Sequence, residues 1–172
     1  MTTLNAETIH TGRLALVPLR IEHADEMATV LADPALHAFI GGTPATLEAL
    51  RTRYTRLVAG SPDPVVSWCN WVIQLRDEAC LAGTVQATIS PSPPGPIAEV
   101  AWVVGTPWQG QGIATEAATG LVAWLGDRHV HTVIAHIHPD NRASAAVATA
   151  AGLSPTAERH EGEIRWRRRT TR

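Results

Sequence analysis

Two glycines stand within three residues in the run WQGQGIATEA at 108 to 117, between the apolar segment IAEVAWVV and an alanine-rich stretch. A glycine-rich loop that ends a strand and opens a helix suits one task in particular. The first helical turn exposes N–H groups that have no partner inside the helix, and their dipoles favour a bound anion. A side chain at Gly110 or Gly112 would hold a phosphate away from that backbone. Glycine also permits the positive φ angles that turn successive N–H groups toward one centre. Gly110, Gln111, Gly112, Ile113, Ala114 and Thr115 therefore form a candidate anion cradle. A P-loop is excluded, because it needs Gly-Lys-Ser/Thr and the chain has no lysine. A dinucleotide fingerprint fits only in part: Thr115 stands where the third glycine belongs, and no acidic strand end follows about twenty residues on.

Other residues could carry chemistry and read more simply. His129, His131, His136 and His138 crowd one segment. On a strand His136 and His138 share a face and His131 lies opposite, so one metal site for all four is implausible and no metal is expected. Local pH-sensitive hydrogen bonding is the simpler role for them. Cys69 and Cys80 have no evident nucleophile partner and read as small apolar residues. Trp71, Trp102 and Trp124 fall in apolar patterns and read as core or dimer surface, whereas Trp68 and Trp108 flank the expected cleft.

The elements that would position these residues follow from periodicity. RLALVPLR (13 to 20) alternates around a proline, as an edge or early strand would. Ala24, Met27, Ala28 and Leu31 recur at helical spacing until Asp33-Pro34. A second helix starts near Thr43-Pro44, runs through Leu47, Leu50, Tyr54 and Leu57, and ends at Gly60. The period then changes to two. SWCNWVIQL, LAGTVQATI and IAEVAWVV read as an antiparallel meander of three strands, with SPSPPGP as the breaker before the third. A helix over 113 to 125 is interrupted only by Gly120. The strand HTVIAHI, a helix from Asp140-Asn141 to a capping Gly152, and a hairpin of LSPTAER and EIRWRRR around Gly162 complete the order. The order β-α-α-β-β-β-α-β-α-β-β predicts an α+β (mixed α/β) fold.

Bulk properties set the frame. A chain of 172 residues suits one domain over 1 to 172, and its apolar runs are too short for a membrane span. No membrane partner is expected. The start lacks a secretory layout and two cysteines are too few for a disulfide framework, so the cytoplasm is the expected location. A formal net charge of −2 gives no basic field that would argue for nucleic acid. The terminal RWRRRTTR reads as a solvated tail.

The pattern Gln109-x-x-Gly112-x-Ala114 resembles the Q/R-x-x-G-x-G/A signature of the GNAT superfamily of N-acetyltransferases. HPDNRASAAVATAAGL at 138 to 153 resembles the same family's second block, N-x-x-S/A followed by a helix that ends in Gly and an apolar residue. Asp33-Pro34, Glu99 in AEVAWVV and the continuation GIATEA are similar to the Rim-like branch, the ribosomal-protein N-terminal acetyltransferases. The resemblance spans about residues 13 to 169. It implies a GNAT-type fold: a central, mostly antiparallel twisted sheet with a splayed strand pair, here 97 to 104 and 131 to 138, and about four helices. It implies acetyl-CoA as cosubstrate, with its pyrophosphate on the amides of the 109 to 115 loop and its pantetheine between the splayed strands. Backbone at Val103 and Val104 would meet the thioester, an amide near Val104 being the oxyanion donor, and Asn141 would bond the pantetheine arm.

Acetyl transfer to an amine needs a deprotonated nucleophile, oxyanion stabilisation and a proton for the thiolate. By the resemblance Glu99 is the general-base candidate and Glu116 a weaker one, since a carboxylate in a first helical turn also simply complements the dipole. Relatives often place a tyrosine seven residues beyond the asparagine as acid, but that position is Ala148 here and Tyr54 is the sole tyrosine. Ser144 is the available substitute and also a cofactor contact, with bonding back to the carbonyl four residues earlier as the alternative. The acceptor is an amine, either a peptide N-terminus or a small molecule, framed by HAFIGGTP, SPSPPGP and residues 154 to 163. Dimers are common in the family, which leaves a homodimer open. The missing tyrosine keeps a non-catalytic acyl-CoA-binding module as an alternative, and the arginine-rich terminus keeps nucleic-acid association as another.

Overall fold

The computed structural model describes residues 3–39, 41–93 and 95–169. Its frame is one sheet of eight strands in the order β1-β2-β3-β4-β5-β6-β8-β7. The strands are β1 (Ile9–His10), β2 (Leu14–Pro18), β3 (Ser67–Leu75), β4 (Leu81–Ser90), β5 (Ile97–Val104), β6 (Thr132–Ile137), β7 (Ser154–His160) and β8 (Glu163–Arg169). Four α-helices accompany them: α1 (Ala24–Val30), α2 (Leu47–Ala59), α3 (Ile113–Asp127) and α4 (Arg142–Ala150). The expected α+β class and mostly antiparallel sheet are what the chain forms, with β5–β6 as the parallel pair.

Alternation builds the layers. Along β4, Val85, Ala87 and Ile89 are buried on one face, while Thr84, Gln86 and Thr88 lie half-buried on the other. α3 packs on the first face over Trp71, Ile73 and Val85, with α4 beside it. α1 and α2 cover part of the opposite face through Met27, Val30, Leu50 and Tyr54 against Val72 and Leu81. Trp71 is fully buried, its indole N–H donates to the Glu7 carbonyl at 2.8 Å, and it meets Trp124 edge-on at 5.2 Å. Such an aromatic pair adds about 0.5–1.5 kcal/mol beyond the area it buries.

Several expectations are corrected. β2 is an interior strand: the two-residue β1, too short to show a period, pairs outside it through Ile9↔Leu16, and Leu14, Ala15 and Leu16 are all buried. The three-stranded meander β3 to β5 is as expected, and β1 and β2 extend it on one side to five antiparallel strands, with α1 and α2 intervening between β2 and β3. α2 begins at Leu47, because the Thr46 hydroxyl accepts from the Ala49 amide at 3.1 Å and caps the helix there. RWRRRTTR is no tail over 165–169, which belong to β8 between β6 and β7 with Trp166 buried; the last three residues lie outside the described ones. The hairpin turn around Gly162 is as expected, with Glu161 and Gly162 both at positive φ. No helix is long and apolar enough to cross a membrane among the described residues.

Candidate active site

The site grows out of an interruption in the sheet. β5 and β6 pair through Ile97↔Thr132, Ala98↔Val133 and Glu99↔Ile134, and there the pairing stops, although β5 runs on to Val104 and β6 to Ile137. On its other side β5 stays in register with β4, and the Gly105 amide donates to the Ala82 carbonyl at 2.8 Å. That bond fixes the parity of the ladder. Odd-numbered residues of β5, Val103 included, turn their backbone groups to β4, while Trp102 and Val104 turn theirs into the gap. Of the two expected backbone contacts, Val104 can offer an N–H there and Val103 only its side chain.

Gln109 closes the top of the gap by donating its side-chain amide to the Val104 carbonyl at 3.0 Å. The glycine-rich loop follows. Gly110 has φ 77° and Gly112 φ 79°, the left-handed values expected of them, and Gly112 caps α3 with no side chain of its own. Among the described residues, no N–H from Gly110 to Thr115 has a partner within the chain. This run of free donors stands at the positive end of α3, where a bound anion is favoured. Glu116 would oppose it, but its carboxylate is turned under the loop. The Arg13 amide donates to it at 2.8 Å, the Arg13 guanidinium pairs with it at 2.8 Å, and the Thr11 hydroxyl also bonds it. Burial works against its charge, yet these hydrogen bonds and the Arg13 charge outweigh burial and hold the carboxyl below its usual value. Arg13 also donates to the Gln111 carbonyl at 2.8 Å, bracing the loop. Glu116 thus supports the loop, its carboxylate engaged by Thr11 and Arg13.

The gap and the cradle open into one cleft of about 620 Å³, within the range of cosubstrate sites. Val103, Val104, Gln109, Gly110 and Gly112 line it, as do Ile113, Ala114, Thr115, Asn141 and Ser144. Gln111 does not: its side chain folds back to the Pro107 carbonyl. Asn141 accepts the Ser144 amide on Oδ1 at 3.1 Å, capping α4 and leaving its Nδ2 as the donor for a ligand. Thr52, Thr55 and Thr149 bond back to the carbonyl four residues earlier, and Ser144 does not, so its hydroxyl remains available in the cleft. Ala148 is fully buried.

Glu99 stands beyond the cleft on the α1/α2 face of the sheet. It is not at an accessible edge, because Thr88 and Ile134 flank it in register. Its carboxylate meets His136 Nδ1 at 3.1 Å, and His136 Nε2 faces Arg165 Nε at 3.0 Å. Arginine can only donate, so Nε2 accepts and the imidazole proton sits on Nδ1, pointing at Glu99. His136 is 7% exposed and lines the cleft, whereas Glu99 is 54% exposed. Sequence reasoning missed this chain, since nothing in the spacing places Arg165 of β8 across from His136 of β6. His138 stacks near Phe39 at 5.0 Å, and both line the same cleft from the acceptor side. Trp108 lines the cleft as expected and Trp68 does not. Among the described residues no group of three or more His, Cys, Asp or Glu is placed to hold a metal.

Comparison with known proteins agrees with this geometry. The family model for the acetyltransferase (GNAT) domain matches residues 13–154. No curated protein matches. Among solved structures, an acetyltransferase from Agrobacterium tumefaciens is 25% identical, with 99% of this chain and 98% of that one covered and a TM-score of 0.73. An acetyltransferase from Salmonella typhimurium that modifies the N-terminal serine of a 50S ribosomal subunit protein is 18% identical, covering 95% and 99%, at a TM-score of 0.77. AAC(6')-Ib, solved with paromomycin and acetyl-CoA, is 16% identical, covering 92% and 94%, at 0.75.

Proposed function

The chain belongs to the GNAT acetyltransferase family, and from that premise we propose how its residues divide the work of acetyl transfer to a primary amine in a single domain over 1 to 172. The enzyme is an acetyl-CoA-dependent acyltransferase. The observation that carries the assignment of residues is the run of unpartnered N–H groups from Gly110 to Thr115, opening onto a gap in the sheet.

Acetyl-CoA supplies a thioester carbonyl that an uncharged amine can attack. The loop amides and Gln109, Ile113, Ala114 and Thr115 hold the pyrophosphate end, with Asn141 bonding the arm from the start of α4. The Val104 N–H, turned into the gap, stabilises negative charge on the carbonyl oxygen as the new C–N bond forms. Glu99 takes the proton that the amine must lose, directly or through water, and His136 holds the carboxylate in place from its Nδ1–H. The C–S bond then breaks, and the Ser144 hydroxyl is the group in the cleft able to donate a proton to the departing thiolate. No covalent enzyme intermediate is needed.

Both cysteines are free thiols, which supports the cytoplasm as the setting. The expected acceptors are a protein N-terminus or a small amine, the classes that the Salmonella enzyme and AAC(6')-Ib exemplify. The test is thiol release from acetyl-CoA over a panel of peptides and amines. Acceptor-dependent release supports the proposal. Saturable acetyl-CoA binding with no release on any acceptor would make the chain a CoA-binding module.

A further inference from the structure

Two groups stand where they could take the amine's proton, and their placement and their wiring disagree. His136 lines the cleft, and Glu99 lies just beyond it. Histidine is also the side chain most often used as a general base. By placement alone the imidazole would be the base.

The wiring points the other way. Glu99↔Ile134 is the last pair between β5 and β6, and His136 sits two residues further on, so its 3.1 Å bond to Glu99 crosses the sheet where the backbone ladder has ended. On its other side His136 faces Arg165, its partner in register on β8. The Arg165 Nε–H donates to His136 Nε2 at 3.0 Å, and Nε2 holds the ring's one basic lone pair, because Nδ1 carries the proton directed at Glu99. While that bond holds, the imidazole has no free nitrogen with which to accept a proton. Arg165 is anchored in turn. Glu158 of β7 lies 3.6 Å from its guanidinium and 3.0 Å from that of Arg167, so a row of alternating charge runs from the sheet edge to the gap. The other titratable groups around the ring are His160 of β7, with its ring centroid 4.8 Å away, and His138 and Glu163, which line the cleft with it. Among the described residues, Glu99 and Arg165 alone bond the nitrogens of His136.

We propose that Arg165 is a positioning residue that reserves the role of base for Glu99. By occupying Nε2 it fixes the Nδ1–H tautomer and turns a histidine in the cleft from a rival base into the donor that holds the carboxylate. The inference rests on the acetyl-transfer reading above and deepens it. The amine's proton goes to Glu99, His136 keeps the one it has, and no bond is made or broken at Arg165.

Nitrogen NMR of histidine-labelled protein reads the tautomer with no substrate present. Wild-type His136 is expected to carry its proton on Nδ1, and Arg165→Met should let the Nε2–H form appear. A wild-type ring protonated on Nε2 would overturn the inference, as would a tautomer that ignores the substitution. Kinetics then read the reserved role. Glu99→Gln alone should lower kcat by about 10²–10⁴, but with Arg165→Met already in place the freed imidazole takes over part of the work, and the same substitution should cost at least about tenfold less. An equal loss in both backgrounds would refute the proposal, since an arginine that only supports the fold lowers both activities alike. Should Arg165→Met fail to fold, His136→Asn puts the same question, because an asparagine amide can still donate to Glu99 and has no basic nitrogen. Its kcat should fall by less than about tenfold, and a larger fall would make the ring itself the base. Absence of thiol release with every peptide and amine, while acetyl-CoA still binds, would instead remove the acetyl-transfer reading and leave the tautomer with no base to serve.

Discussion

Replacing Gly112 tests the cradle in two separable steps. The residue has φ 79°, and a Cβ there would lie 3.3 Å from Arg13 Nη2. Gly112→Ala therefore forces an L-residue into left-handed backbone, at a cost of about 1–2 kcal/mol, and crowds a side chain that braces the loop. For a chain of this length that corresponds to a fall in Tm of roughly 2–8 °C. Gly112→Glu suffers the same strain and adds a negative charge among donors meant for phosphate. One added charge about 5 Å from one phosphate charge, at an effective dielectric of about 20, costs roughly 3 kcal/mol, a loss of about two orders of magnitude in affinity. Isothermal titration with acetyl-CoA at physiological salt, where close charges are only partly screened, compares the two variants directly. The glutamate variant should bind at least tenfold more weakly than the alanine variant at similar Tm. Affinities within threefold of each other would mean that the phosphates do not sit on this loop, and the assignment of the cradle would fall.

Glu99→Gln should reduce kcat by about 10²–10⁴, the usual worth of a general base, with acetyl-CoA affinity unchanged; wild-type turnover in this variant would take the base assignment away from Glu99. Because the Glu116 carboxyl is held below its ordinary value of 4.5, its contribution to stability is fully present above that pH and is lost as pH falls through the lower folded value. Glu116→Gln should thus lower Tm at pH 7, with the gap to wild type closing as thermal melts are repeated below pH 4.5. A gap independent of pH would show that the ion pair with Arg13 is not its source. A Cβ at Gly83 would lie 2.1 Å from the Val103 carbonyl oxygen, so Gly83→Ala must move β5. Urea unfolding should register a loss of about 1–3 kcal/mol, accompanied by a higher KM for the acceptor, and an unchanged midpoint would contradict the close approach.

The parts of this fold that the sequence made legible are those with a period or a cap. Thr84, Gln86 and Thr88 alternate with Val85, Ala87 and Ile89, and that alternation alone separates two faces of β4. Gly152, at φ 92°, takes the Leu153 amide back to the Ala148 carbonyl as a helix-ending glycine does. Gly110 and Gly112 announced their conformation because only glycine holds it cheaply. What stayed hidden depends on contacts between distant segments. β1 offers two residues and no repeat. His136 could be placed on a strand, but its bonds to Glu99 and Arg165 span 37 and 29 residues of sequence and depend on β8 lying between β6 and β7. Tyr54 was visible as one apolar position among Leu47, Leu50 and Leu57. Its hydroxyl, without a partner among the described residues, appears only when α2 is laid over the sheet.

The short pairing of β5 with β6 has a mechanical consequence. Three residue pairs, Ile97 to Glu99 against Thr132 to Ile134, are the whole backbone seam between a five-stranded piece, β1 to β5, and a three-stranded piece, β6, β8 and β7. A cosubstrate whose amide-bearing arm lies in the gap lengthens that seam, tying Trp102 and Val104 on one side to the α4 end of the other. The ligand then works as a missing length of strand, and the two pieces are most firmly joined when the reactants are in place. Hydrogen exchange would see this as slowed amides in β6 once acetyl-CoA is added.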